Sequence, residues 1–164
     1  MTIIALAVGT ACVLSSGTFI VTYEFQGFTP VIGNMQYVAV DLTTEDKYAK
    51  HKDKLESIDA VSIVGDIVNL EGTAASSEIW ISDSLYNTPA LVRTNATQIF
   101  VTPSIIPGDT LHINYASGLS YIKNVNVFES EIEKGGKFYA YAIPSGTAVM
   151  AYDIAVIITL TAGM

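Results

Sequence analysis

The sequence predicts a mainly β protein: an antiparallel β-sandwich, immunoglobulin-like or jelly-roll-like, with two short helices. Three observations lead there. Half of the 164 residues are hydrophobic and the mean hydropathy is +0.41, yet no uninterrupted apolar run approaches the ~20 residues of a membrane-crossing helix. The apolar residues instead recur every second position in many brief stretches, the signature of half-buried strands. Turn-forming Gly, Pro and Asn separate those stretches at intervals of about 8–12 residues, the spacing of a sandwich. A chain of this length buries roughly two-thirds of its unfolded surface, enough for one core.

Residues 1–17 form an apolar N-terminal segment and 18–164 the sandwich domain. Residues 3–14 have the length and small-residue content of a signal-peptide core. Gly9-Thr10-Ala11 stand directly before Cys12, the single cysteine, as small residues do ahead of a lipidated cysteine, where the peptidase groove has little room. One cysteine forms neither an internal disulfide nor a thiolate metal cluster. Cys12 is therefore read as a lipid anchor. Two other readings stay open: 2–9 as a first buried strand ending in an inert thiol, or as a strand inserted into a neighbouring subunit. A catalytic thiol has least support, because no basic residue lies within ten positions of Cys12 to stabilise a thiolate.

The elements follow in order. TFIVTYEF (18–25) sets Phe19, Val21, Tyr23 and Phe25 on one face against Thr18, Ile20, Thr22 and Glu24, a half-buried strand. QGFTPVIGN (26–34) is a loop and MQYVAVDL (35–42) a strand. TTEDKYAKHKDKLESID (43–59) is charge-dense and reads as an amphipathic helix, capped by Thr43 or Thr44, with Glu45 and Asp46 in its first turn and Tyr48, His51 and Leu55 on one face. AVSIVGDIVNL (60–70) is a long strand bulged at Gly65. SSEIWIS (76–82) and TQIFVT (97–102) are strands flanking a turn-rich stretch, 83–96.

Pro107-Gly108 supplies a type II turn, after which Leu111, Ile113 and Tyr115 alternate with Thr110, His112 and Asn114. LSYIKNVNVFESEIEKGG (119–136) is the second helix, built on Ile122, Val125, Phe128 and Ile132 and stopped by Gly135-Gly136. KFYAYAI (137–143) and AVMAYDIAVIITLTA (148–162) close the chain as an antiparallel pair.

Charge and motifs limit the chemistry. Sixteen acidic residues against eight basic ones give a net charge of -8. Nucleic acid, which needs a positive face, is discounted as a partner, as are anionic lipid surfaces. The nucleophile-elbow and phosphate-cradling glycine patterns are absent. His51 and His112 lie far apart and no calcium-loop spacing occurs, so no metal site and no cofactor are expected. The carboxylates Asp41, Glu45, Asp46, Asp53 and Asp59, and Glu129, Glu131 and Glu133, read as solvated helix faces, and no catalytic residue is assigned. His51 and His112 read as surface residues. In SSEIWIS, inward Ile79 and Ile81 put Trp80 on the opposite face with Glu78; with Tyr86 it forms a candidate ligand-binding surface for a glycan or a partner protein. The competing and favoured expectation is a helix covering Trp80. Asp153 is expected to face solvent or to guard a strand edge, with a buried functional carboxylate as the alternative.

The lipobox-like Gly9-Thr10-Ala11-Cys12, the sandwich pattern and the strand-introducing IPGDT (106–110) together resemble small exported β-sandwich proteins of bacteria and archaea, often lipid-anchored. The resemblance implies a non-catalytic binding or structural module, exported to the cell surface, periplasm or medium, whose membrane contact runs through Cys12. Two alternatives from other classes are a self-associating subunit of an extracellular filament or assembly, joined by N-terminal strand donation, and a carbohydrate-active hydrolase.

Overall fold

The period-two stretches become eight strands in a computed structural model, which describes residues 16–25, 35–145 and 150–163. Cys12, the segment around it and the expected loop over 26–34 lie outside the described residues. The strands are β1 (Ser16–Glu24), β2 (Gln36–Asp41), β3 (Leu55–Asn69), β4 (Ser77–Ser82), β5 (Thr97–Val101), β6 (Thr110–Ile113), β7 (Lys137–Pro144) and β8 (Met150–Gly163). They make two four-stranded sheets, ordered β1-β8-β3-β6 and β2-β7-β4-β5. Every pairing is antiparallel.

That order selects between the two sandwiches the sequence allowed. Pairs β1·β8, β2·β7, β3·β6 and β4·β5 are successive rungs of one long ribbon folded at its middle. Rolling the ribbon up brings β8 beside β3 and β7 beside β4. The result is a jelly roll, a double sheet of eight strands. The expected pairing of the last two strands is thereby overturned: β7 and β8 lie in different sheets. Adjacent apolar segments do not have to pair when each can be buried against a more distant neighbour.

Helices are shorter and more numerous than expected. The stretch 43–59 is no single helix but a 3₁₀ turn (Leu42–Thr44), α1 (Asp46–His51) and a second 3₁₀ turn (Lys52–Lys54), after which β3 begins. Asp41, not a threonine, caps this region by accepting from the Thr43 backbone N–H at 3.0 Å. The alternation of Ile58, Val61 and Ile63 joins β8, and the strand takes residues the helix would have used. α2 (Pro89–Asn95) rises from the turn-rich stretch, with Thr88 as N-cap and Pro89 at its first position. α3 (Tyr115–Tyr121) interrupts the strand expected to run through Tyr115, because Asn114 and Ser117 close a reciprocal capping box. α4 (Val125–Glu133) starts after Asn124, whose φ of 51° breaks the expected helix from α3.

The core lies between the sheets. Val21, Val61, Ile63, Ile154 and Ile158 from one sheet meet Val40, Ile79, Ile81, Phe100, Phe138 and Ala140 from the other. Close backbone approach replaces side-chain packing at two points. Gly65 is not bulged: it stays in register with Ile113 and Ile154 at φ +123°, and a Cβ there would stand 2.0 Å from the Asp153 carbonyl oxygen. On α3, a Cβ at Gly118 would stand 2.0 Å from the Ile63 carbonyl oxygen, while Ser62 Oγ donates to the Tyr115 carbonyl at 2.9 Å. Tyr48, buried on α1, donates its hydroxyl to the Ile132 carbonyl and ties α1 to α4.

Candidate functional site

The outer face of the β2-β7-β4-β5 sheet carries the residues singled out as a ligand surface. Along β4 the side chains alternate as expected, Ile79 and Ile81 inward, Glu78 and Trp80 outward. Tyr37 on β2, Tyr141 on β7 and Trp80 on β4 lie side by side in one row across three strands. Val92 of α2 packs with Tyr141, and Trp80, Tyr86, Tyr139 and Met35 pack against that cluster, leaving Trp80 half-buried and Tyr37 exposed. The indole N–H donates to Glu78 Oε2 at 2.9 Å, and Arg93 of α2 pairs with the same carboxylate at 2.9 Å. Tyr86 donates its backbone N–H to the Tyr141 hydroxyl at 2.9 Å, which in turn donates to the Ser84 carbonyl at 2.7 Å. Burial pushes the Tyr141 hydroxyl pKa up. Trp80, Glu78 and Tyr86 do come together, but as the underside of a helix rather than an open stacking platform. Sequence reasoning missed Arg93 and Tyr141, although the alternation in KFYAYAI places Tyr139 and Tyr141 on one face.

Titratable groups are dispersed. His112 Nδ1 lies 2.7 Å from Asp66 Oδ1, and Asp66 stands directly across from Asp153 in the β3·β8 register. Asp153 is exposed as expected, but on an interior strand, so it guards no edge. His51 departs from the solvated residue expected: its ring stacks on Phe19 with centroids 3.9 Å apart, since the last turn of α1 closes over β1. Asp41 pairs with Lys137 at 2.9 Å, and the Thr43 hydroxyl, then Lys137, hold its carboxyl below the usual range. Hydrogen bonds from Ser57 and Thr161 hold Asp59 low. Glu131 pairs with Lys134 at 2.8 Å. Among the described residues, no group of three or more His, Cys, Asp or Glu is placed to hold a metal ion.

The sheet edges differ from one another. The α3–α4 connection closes β5, where the Lys123 N–H donates to the Ile99 carbonyl at 2.7 Å and Asn124 Nδ2 to the Gln98 carbonyl at 2.9 Å. The β6 edge is only four residues long. In contrast, β1 ends its sheet with nine residues, has no partner strand on its outer side among the described residues, and exposes Ile20 at 53%. β2 ends the other sheet and exposes Tyr37 at 51%. A depression of about 400 Å³ runs between residues 20–22 of β1 and Thr44–Lys47.

No protein-family model matches this chain, and no curated protein does. Solved structures do. One from Desmodium yellow mottle tymovirus is similar with a TM-score of 0.39 and 9% identity, over 100% of this chain and 95% of that one. One from turnip yellow mosaic virus is similar with a TM-score of 0.43 and 10% identity, over 99% of this chain and 87% of that one. A structure of turnip yellow mosaic virus at 100 K gives a TM-score of 0.35 at 7% identity, over 90% and 96% of the two chains.

Proposed function

We propose that this protein is a non-catalytic structural subunit that assembles with further copies of itself through its strand edges. The observation that carries the reading is β1, a nine-residue edge strand with no partner strand on its outer side among the described residues and no charge before Glu24. Such an edge is a template for pairing with another chain, and monomeric proteins blunt it with lysine, proline, bulges or a covering loop. Among the described residues β1 carries no lysine, proline or bulge and no hydrogen-bonded covering segment on its outer side, whereas β5 is covered. Jelly rolls serve as capsid, lectin and cupin domains, and that analogy of fold leaves an assembly role open without choosing it. The glycan-binding alternative has less support, because α2 covers Trp80 and Glu78 occupies its N–H.

Sedimentation of the full chain over a wide concentration range tests the reading: concentration-dependent association is expected, and a monomer throughout refutes it. Export, with a lipid on Cys12, is a separate proposal resting on Gly9-Thr10-Ala11-Cys12 alone. Its test is the intact mass of protein from the native host, where an acylated Cys12 terminus supports it and a chain beginning at Met1 refutes it.

A further inference from the structure

We propose that β1 is a self-complementary interface: β1 of one copy pairs antiparallel with β1 of a second copy about a two-fold axis at Ile20, joining two β1-β8-β3-β6 sheets into one. This rests on the assembly reading above and names its surface. The Phe25 N–H donates to the Ile154 carbonyl at 3.1 Å, and the β1·β8 register runs without a shift from Ser16↔Gly163 to Glu24↔Ala155. Bonded residues alternate along an antiparallel pair. Odd-numbered residues of β1 therefore bond to β8, and Ser16, Thr18, Ile20, Thr22 and Glu24 turn their N–H and C=O groups to the free edge.

The side chains are near-palindromic about the same point. A two-fold axis at Ile20 sets Thr18 opposite Thr22 of the second copy and Ile20 opposite itself, on the exposed face. On the inner face, Phe19 meets Val21 and Gly17 meets Tyr23, small opposite large. Threonine pairs and apolar pairs of this kind stabilise adjacent strands, and an isologous contact requires this reciprocity. Charge on the strand itself does not oppose the contact. Two copies at -8 each repel, but Ser16–Tyr23 carry no charge, and Glu24 falls opposite Ser16 rather than another acid. The depression beside residues 20–22 separates the strand's midpoint from Thr44–Lys47, so no described residue packs directly on the edge there.

The test uses the full chain with Cys12→Ser. Across a bonded antiparallel pair the Cα atoms lie about 5.5 Å apart and the Cβ atoms about as far, wider than the roughly 3.5–4.5 Å Cβ spacing of a disulfide. Ile20→Cys should therefore be linked between copies by a short thiol-reactive crosslinker. Thr18→Cys, on the same exposed face but facing Thr22 of the second copy, should link at least about tenfold more slowly. In the otherwise native chain, Ile20→Lys puts two like charges face to face at a position the fold leaves exposed, and should weaken association by about tenfold or more with an unchanged far-UV CD spectrum. Association that is indifferent to Ile20→Lys, or an Ile20→Cys chain that links no faster than Thr18→Cys, overturns the β1 contact while the assembly reading stands. A chain monomeric at every concentration overturns both.

Discussion

Replacing Gly65 with alanine should strongly destabilise this protein. The residue sits mid-strand in β3 at φ +123°, a region that residues with a side chain rarely adopt, and the new Cβ would stand 2.0 Å from the Asp153 carbonyl oxygen and 2.8 Å from Ile154 Cα. The backbone strain is worth about 1–3 kcal/mol. Relief by moving β8 disturbs the longest strand pairing of the sandwich, for about 1–3 kcal/mol more. Together these make about 2–6 kcal/mol, a large share of the ~5–15 kcal/mol that holds a domain folded. At about 2–4 °C per kcal/mol for a domain this size, Gly65→Ala should lower the Tm by about 5–20 °C, read by far-UV CD. Gly72→Ala is the control: nothing lies within 4 Å of its Cβ position, so its Tm should stay put or rise slightly. A Gly65→Ala chain melting within about 2 °C of the parent would refute the close-approach reasoning.

Tyr152, whose pKa burial pushes up from 10.0 to about 12, holds its proton more tightly folded than unfolded. Its stabilisation is complete below pH 10 and is lost as pH rises towards 12, by about 2–3 kcal/mol in all. Urea unfolding should show the parent losing that amount relative to Tyr152→Phe over that window, and a constant difference would count against the burial. Tyr48→Phe removes the hydrogen bond to the Ile132 carbonyl, and a loss of about 1–3 kcal/mol in urea is expected; a midpoint unchanged from the parent would show the bond contributes nothing. Val92→Ala hollows the contact between α2 and the aromatic row, costing about 1–3 kcal/mol and red-shifting the emission of the sole tryptophan. An unmoved spectrum would mean that α2 does not shield Trp80.

Much of the fold is legible from local pattern. Alternation places Val21, Ile79 and Ile81 in the core and Trp80 on the outer face, because the two-residue period of a strand is set by covalent geometry. Pro107-Gly108 reads as a turn for the same reason, and Gly108 has the positive φ, +73°, that the turn requires. Short helices are harder to see. α2 and α3 depend on caps at Thr88 and Asn114, and each is too short to show an apolar stripe. The candidate site was legible as a list of residues, Glu78, Trp80 and Tyr86, but not as a surface, since Arg93 folds back on a short helix that the pattern does not show and Tyr141 arrives from β7, far along the chain.

By itself the sequence determined where most strands lie and which face of β1 and β4 is buried, and that acidic residues outnumber basic ones two to one; these follow from the order of neighbouring side chains and from their sum of charge. Only the tertiary structure decided that β1 pairs with β8 rather than β7 with β8, that Gly65 marks a close approach rather than a bulge, and that β1 is left at an edge. Among the observed pairings, only β4·β5 joins strands consecutive in the chain. The rest are set by how two whole sheets best bury one another, a property of the assembled core that no short window of sequence contains.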